Sequence, residues 1–311
     1  MKNIIGIDIS KDRLDVFTLA DGAYHQFANE RHGIGALIRQ LGKLDQPLVV
    51  FEATGAYHRQ LESSLAQRSL HFNKINPRQS RRFAEATGRL AKTDRVDAAM
   101  LARMAAALKL SPQIPNAETH YELKELLVAR RGLVKDLAHG KARAKGSLQP
   151  LVRRQITRRL RLVESQIAEL EREILNRING DSELHARFTI LLSIPGISEI
   201  TAFTMLIEMP ELGAMSNKQA ASLAGLAPVS RQSGKWQGKE HIRGGRRELR
   251  RALYMPALSA MRFNPDLKEM SQTLSAKGKP AKVVITAVMR KLIVLSNILI
   301  AAGRKWVPKT A

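Results

Sequence analysis

The chain has 311 residues, 44% of them hydrophobic, with 51 Lys and Arg against 28 Asp and Glu and no cysteine. That size accommodates two or three domains with cores of their own, and the lack of cysteine excludes disulfides and thiolate zinc sites and fits a reducing cytoplasm. A formal net charge of +23 draws polyanions, nucleic acid first, although ribosomal proteins and binders of anionic membranes share the bias, so charge names a class of partner and no reaction.

The opening stretch MKNIIGIDIS enters a polar turn too soon for a signal peptide. NIIGIDIS alternates Ile5, Ile7 and Ile9 on one face with Gly6 and Asp8 on the other, and RLDVFTLAD and AYHQFAN follow after short polar turns, which predicts a three-stranded antiparallel meander. GIGALIRQLG reads as a helix, PLVVFEAT as a central strand apolar on both faces, AYHRQLESSLAQRS as a helix and HFNKIN as a strand before Pro77. Two more helices close the unit. Three strands, helix, strand, helix, strand, helix is the order of a ribonuclease H-like mixed sheet, expected over residues 1–112; a Rossmann sheet is disfavoured because no G-x-G-x-x-G follows the first strand.

Residues 113–182 read as a basic helical hairpin. Leu160, Val163, Ile167, Leu170 and Ile174 recur at spacings of three and four, the seam of a short coiled coil. The stretch 130–161 holds eleven Lys or Arg and one acid, Asp136, too one-sided for salt-bridge lacing, so the expectation is contact with a nucleic-acid backbone through Arg130, Arg131, Lys141, Arg143, Lys145, Arg153 and Arg154. Residues 183–311 form a mostly helical domain. LLSIPGISEITAFTMLIEM is helix, Pro-Gly turn, helix, the turn being either a tight corner or a phosphate cradle. SNKQAASLAGLAP is a helix capped by Ser216 or Asn217, followed by a Gly-rich basic loop and an Arg-studded helix. Arg231, Lys235, Arg243, Arg246, Arg247 and Arg250 extend the candidate nucleic-acid surface. KLIVLSNILIAAG falls short of the roughly 20 residues that span a bilayer and reads as a buried helix, so no membrane partner is expected.

Four acids carry the candidate chemistry. Asp8 lies toward the end of the first strand, Glu52 ends the fourth, and Asp94 and Asp97 share one face at the start of a helix. The topology lays strands one and four side by side, so a helix packed across their carboxyl ends brings all four together. Uncompensated, such charges repel and raise one another's pKa; divalent cations remove the objection, and Mg²⁺ (with Mn²⁺ as substitute) suits carboxylates, water and phosphate. Three of them have a plainer reading, whereas Glu52, an acid ending a fully buried strand, requires a partner. Asp94 could cap the helix with Asp97 at its third position, and Asp8 could face Lys11. Ser233, in RQSGKW, precedes a glycine in a basic loop; a serine attacks a phosphodiester only if its proton is removed and the developing charge is stabilised. Alone it is more readily an ordinary loop serine. Tyr254, in RRALYMP, reads as a core or phosphate-contacting side chain.

GIDISK, FEATGAY, KTDRVDAAMLA, IPGI, LAGLAP followed by SG, and LRRALYMPA together resemble the DEDD transposases of the insertion sequence one-ten and eleven-eleven family, related to the Piv and MooV invertases. The resemblance runs over nearly the whole chain. It implies a RuvC-like domain with a catalytic metal tetrad at Asp8, Glu52, Asp94 and Asp97, and a transposase domain with its catalytic serine at Ser233. It further implies donor and target DNA as partners, a structured noncoding guide RNA, and a homo-oligomer, dimer or tetramer, whose active sites are shared between protomers, acting in the cytoplasm on the bacterial nucleoid. The rivals are a RuvC-like nuclease or junction resolvase using water, a sugar kinase or actin-like ATPase, for which phosphate-binding glycine turns are lacking, and a nucleic-acid binder without catalysis.

Overall fold

The computed structural model describes residues 3–53, 55, 57–88, 93–113, 118–230, 232–233, 236–238 and 240–308. The chain divides into two compact units, Met1–Glu118 and Thr119–Ala311.

In the first unit, β1 (Ile4–Ile9), β2 (Arg13–Thr18), β3 (Tyr24–Ala28), β4 (Leu48–Glu52) and β5 (His71–Ile75) form one sheet in the order β3-β2-β1-β4-β5. The first three strands are the expected antiparallel meander, while β1–β4 and β4–β5 are parallel. This is the ribonuclease H-like arrangement. Alternation assigns the faces. Ile5, Ile7, Leu14, Val16, Val49 and Phe51 pack on one side with residues of α1 (Arg31–Leu41) and α2 (Arg59–Gln67). Leu48, Val50 and Ile75 pack on the other with Met100, Leu101 and Met104 of α4 (Asp94–Ala107). Between them α3 (Pro77–Ala86) starts from an Asn76 cap, whose side chain accepts from the Arg78 amide at 2.9 Å, with proline at the first turn where its missing N–H costs nothing.

The residue that sets the height of α4 above the sheet is Gly6. A Cβ there would stand 2.0 Å from the Ala98 carbonyl oxygen and 2.7 Å from the Ala102 nitrogen. Backbone meets backbone at this point because the helix presents Ala98, Ala99 and Ala102 to β1 and β2. Bare glycine under an alanine face is what lets α4 lie this close.

In the second unit, α5 (Glu118–Gly146) and α6 (Pro150–Asn179) run antiparallel, bridged by Arg177 with Glu122, Arg130 with Glu171 at 2.6 Å and Lys141 with Glu164 at 3.1 Å. The predicted seam faces inward: Leu160, Val163, Ile167 and Leu170 are half-buried and Ile174 fully buried. At the base of this pair Leu123, Leu127, Ile174 and Ile178 join a single core with α7 (Ser182–Leu192), α8 (Glu199–Glu208) and the later helices. The Pro-Gly turn is a tight corner. Gly196 has φ of 103°, and a Cβ would stand 2.8 Å from Ala260, while Ser198 caps α8 through the Thr201 amide. Next come α9 (Asn217–Leu223), with Ser216 and Gln219 forming a reciprocal capping box, and a ribbon of β6 (Pro228–Val229) with β9 (His241–Ile242). Between these strands lies a hairpin of β7 (Gln232–Ser233) and β8 (Trp236–Gln237). Helices α10 (Arg247–Ala252), α11 (Tyr254–Phe263), α12 (Pro265–Ala276) and α13 (Ala281–Ala301) complete the unit.

Helix α13 corrects one expectation. It runs for 21 residues and is long and apolar enough to cross a membrane by length and composition. Yet Val288, Leu292, Ile293 and Leu299 are buried at the centre of the core, which is what the buried-helix reading requires.

Candidate metal centre and serine hairpin

The register of the sheet builds the acidic site. Asp8 of β1 stands directly across from Asp15 of β2, and the parallel pairing Ile7 with Phe51, carried one residue further, sets Asp8 beside Glu52. Gly6 and Asp8 share the face on which α4 lies, so the first turn of that helix, with Asp94 and Asp97, arrives over the same strands.

Their mutual influence falls on Asp8. Its pKa is pushed up from 3.8 to about 6, first by burial and then by the negative charges of Asp97, Asp94, Glu52 and Asp15. The four sequence-chosen acids therefore share one electrostatic neighbourhood. Among the described residues no ion pair joins Asp8 to Lys11, and Asp94 is not the helix cap. Thr93 is the cap, its hydroxyl accepting from the Val96 amide at 3.3 Å. With a threonine already capping the helix, neither aspartate is needed for that purpose.

Several side chains hold the acids in place that the sequence did not single out. Arg13 donates from Nη2 to Asp94 Oδ2 at 2.8 Å, and Ser80, fully buried, donates to Glu52 Oε1 at 2.5 Å. Asp15 is buried under hydrogen bonds from Tyr24 O–H and from Gln26 Nε2 at 2.7 Å, both to Oδ1. Its Oδ2 has no hydrogen-bond partner, Arg13 Nε lying 3.6 Å away, too far for one. That oxygen is ion-paired with the Arg13 guanidinium, whereas the carboxyl of Asp8 across the strands has its pKa raised by burial and like charges, a strain that a cation would relieve. As the side chains stand, no three acids or histidines among the described residues are close enough together to ligate one ion. Asp94 is turned to Arg13 and Glu52 to Ser80. Asp15 was legible in part, since alternation puts it opposite the buried Leu14 and Val16; only the strand register brings it to Asp8.

Ser233 lies in the second unit, on a short strand rather than in an irregular loop. It is exposed and pairs with Trp236 across the hairpin. Arg231 and Lys235 lie outside the described residues. Tyr254 is not in the core: it opens α11 and is 44% exposed.

The basic candidates separate into two sets. Arg130 pairs with Glu171 and lies over the Phe203 ring, 5.8 Å from its centre. Arg131 and Lys124 both bind the buried Glu208, Lys124 at 2.7 Å. Burial alone would raise the pKa of Glu208, but hydrogen bonds and charge from Lys124 and Arg131 outweigh it and hold the carboxyl below its usual range. Arg246 clamps Glu211 with two hydrogen bonds of 2.7 and 2.6 Å, and Arg250 donates to the Gly244 carbonyl at 2.7 Å. Lys141 pairs with Glu164, and Arg153 donates to the Ser147 carbonyl at 2.6 Å. Arg143, Lys145, Arg154, Arg243 and Arg247 are exposed and form no ion pair among the described residues. Arg131→Ala is accordingly expected to cost about 2 kcal/mol, because it removes a charged hydrogen bond from a buried carboxylate. Urea unfolding checks this; Arg143→Ala, an exposed change, should stay within about 0.5 kcal/mol of the parent.

Residues 5–152 match the DEDD transposase model of IS110 type, and residues 188–272 match the transposase model of the IS116/IS110/IS902 family. The chain is 31% identical over 318 residues to a pilin gene-inverting protein of Moraxella bovis, with 98% of each chain covered. It is equally similar, over the same extent, to a pilin gene-inverting protein of Moraxella lacunata. An insertion element IS110 protein of Streptomyces coelicolor is 30% identical over 129 residues, 41% of this chain and 32% of its own length. Likeness sustained from end to end, across both the acidic sheet unit and the helical unit, settles the assignment: the chain belongs to the IS110 family of transposases and DNA invertases, enzymes that act on DNA.

Proposed function

We propose that the protein cuts and rejoins DNA site-specifically through a phosphoserine link at Ser233, assisted by Mg²⁺ or Mn²⁺ held by Asp8, Glu52, Asp94 and Asp97. The observation that carries the reading is the gathering of negative charge on Asp8 in a chain of net charge +23. A protein that cationic maintains a nest of carboxylates at a cost, and a bound divalent ion offsets that cost. When bound there, the ion supplies positive charge to the phosphoryl oxygens and to the attacking and leaving oxygens. For the acids to reach it, Asp94 must turn from Arg13 and Glu52 from Ser80. Asp15, held by Tyr24 and Gln26, adds its negative charge to the field at Asp8. Ser233 Oγ forms a bond to phosphorus as the bond from phosphorus to the departing strand end breaks; the serine proton is lost and the strand end takes one up. The phosphoserine link keeps the energy of the broken phosphodiester, so rejoining needs no ATP.

The reading includes a division into a metal domain at 1–112, a basic coiled-coil arm at 113–182 and a transposase domain at 183–311. It further includes a homo-oligomer with active sites shared between protomers. A structured noncoding RNA would select donor and target by base pairing, with Arg143, Lys145 and Arg154 on the arm holding backbone rather than sequence. Family membership and the unpaired cations of the arm support this. Ser233→Ala is expected to abolish the covalent protein–DNA adduct seen on denaturing gels while DNA affinity stays unchanged. Cutting that persists without an adduct would instead point to hydrolysis by water.

A further inference from the structure

Beside the serine hairpin the second unit carries a groove of about 720 Å³, walled by α9, the β6–β9 ribbon, α12 and α13. Its walls are apolar, with Leu226, Ile242, Met270 and Val294 among them, and Val283 stands half exposed in it. Its rim is basic. Lys218, Lys282, Arg290 and Lys291 border it against one acid, Glu240, and none of these cations forms an ion pair among the described residues. Apolar walls under a rim of four cations and one acid do not suit a second copy of this cationic chain, nor a neutral small molecule. They suit a ligand with flat apolar faces strung on an anionic backbone.

We propose that this groove takes an unstacked nucleotide of the DNA strand, the base lying against the apolar walls and the flanking phosphates lying on the lysines and arginine of the rim. The size is ample for a base with its sugar, and enzymes that act on a base show that a protein pocket can hold a nucleotide drawn out of the stack. DNA is the occupant because the wall is continuous with the hairpin. Pro228 on the groove wall and Ser233 are five residues apart, at most ~18 Å of extended chain, so one strand can touch both. The position along the strand rests on the proposed role of Ser233; binding of the base does not. The groove would then hold a strand open beside the phosphate to be cut, a task that the exposed arm cations cannot perform because they grip backbone alone.

The test uses the full-length protein with a mixed-sequence DNA single strand carrying iododeoxyuridine, its duplex, and an RNA strand of the same sequence. Photocrosslinking followed by peptide mapping should mark peptides with Met270 or with His241 and Ile242. Val283→Glu, which places a charge at a half-exposed position, should weaken single-strand affinity ~10-fold and duplex affinity less. The pair Arg290→Gln with Lys291→Gln, both exposed, should weaken it similarly and flatten its salt dependence, which guards against a folding artefact in the first variant. Crosslinks confined to the arm, unchanged affinity in both variants, or an affinity for RNA that falls more than that for DNA in the groove variants would overturn the proposal. So would a change in oligomer size by light scattering with DNA affinity intact, which would give the groove to a second copy. Repeating the crosslink with Ser233→Ala separates the two readings: marks in the groove that persist while the adduct also persists would sink the nucleophile and leave the groove standing.

Discussion

Asp8→Asn is expected to lose strand transfer on the order of 10³-fold, the rate equivalent of ~4 kcal/mol of transition-state charge stabilisation, while making the metal-free protein more stable to heat. The two effects have one source. Asp8 is held at a pKa of about 6 by burial and by four neighbouring acids, so its ionised form is disfavoured in the folded chain relative to the unfolded one. The folded state binds more protons than the unfolded state between about pH 4 and pH 6. The contribution of this group to stability is therefore fully present below pH 3.8 and lost as pH rises through about 6. Asparagine carries no such charge, so the melting temperature of the variant minus that of the parent, in chelator, should increase over that window and level off above it. Mg²⁺ should raise the parent's melting temperature above pH 6 and raise the variant's less. An Asp8→Asn protein that melts at the parent's temperature across the window would show that the cluster does not strain the fold. Retained strand transfer would remove Asp8 from the chemistry.

Gly6→Ala is expected to cost at least ~3 kcal/mol and to blunt the Mg²⁺ response with every acid still present. Overpacking of this kind reaches or exceeds the upper end of the usual range because both opposing atoms are backbone. A methyl group at Gly6 meets the Ala98 carbonyl and the Ala102 amide nitrogen at distances no real Cβ tolerates, so α4 must move out. Moving out carries Asp94 and Asp97 away from Asp8. The matched control is Gly35→Ala in α1, where the nearest group is the tip of the Arg39 side chain at 3.7 Å; there a helical glycine is relieved and stability should rise by about 0.5–1 kcal/mol. Chemical denaturation of both variants and a Mg²⁺ melting series on Gly6→Ala check the argument. A well-folded Gly6→Ala protein with an undiminished metal response would disprove the coupling of α4's height to the acidic cluster.

Much of the first unit was legible because its signals are local. Alternation in NIIGIDIS and RLDVFTLAD, a strand apolar on both faces in PLVVFEAT and proline after HFNKIN fix each element by its own residues, and the observed sheet order follows from their sequence order. The cap of α4 is not fixed by the same kind of signal. Thr93 and Asp94 are both good caps by type, and the backbone conformation of Thr93 chose between them. Charge density was the least transferable clue. Arg130, Arg131, Arg246 and Arg250 look like their neighbours in sequence, but Glu171, Glu208, Glu211 and backbone carbonyls engage them.

By itself the sequence determined the ribonuclease H-like unit, the basic helical pair and the four acids worth watching, because periodicity, residue type and net charge act over a few residues or over the chain as a whole. Tertiary structure alone decided that Asp15 stands across from Asp8, that Gly6 sets how near α4 comes, that Arg13 and Ser80 hold two of the acids, and which cations remain for nucleic acid. Those facts depend on strand register and on partners tens of residues away, and no local pattern encodes which distant carboxylate a given arginine will meet.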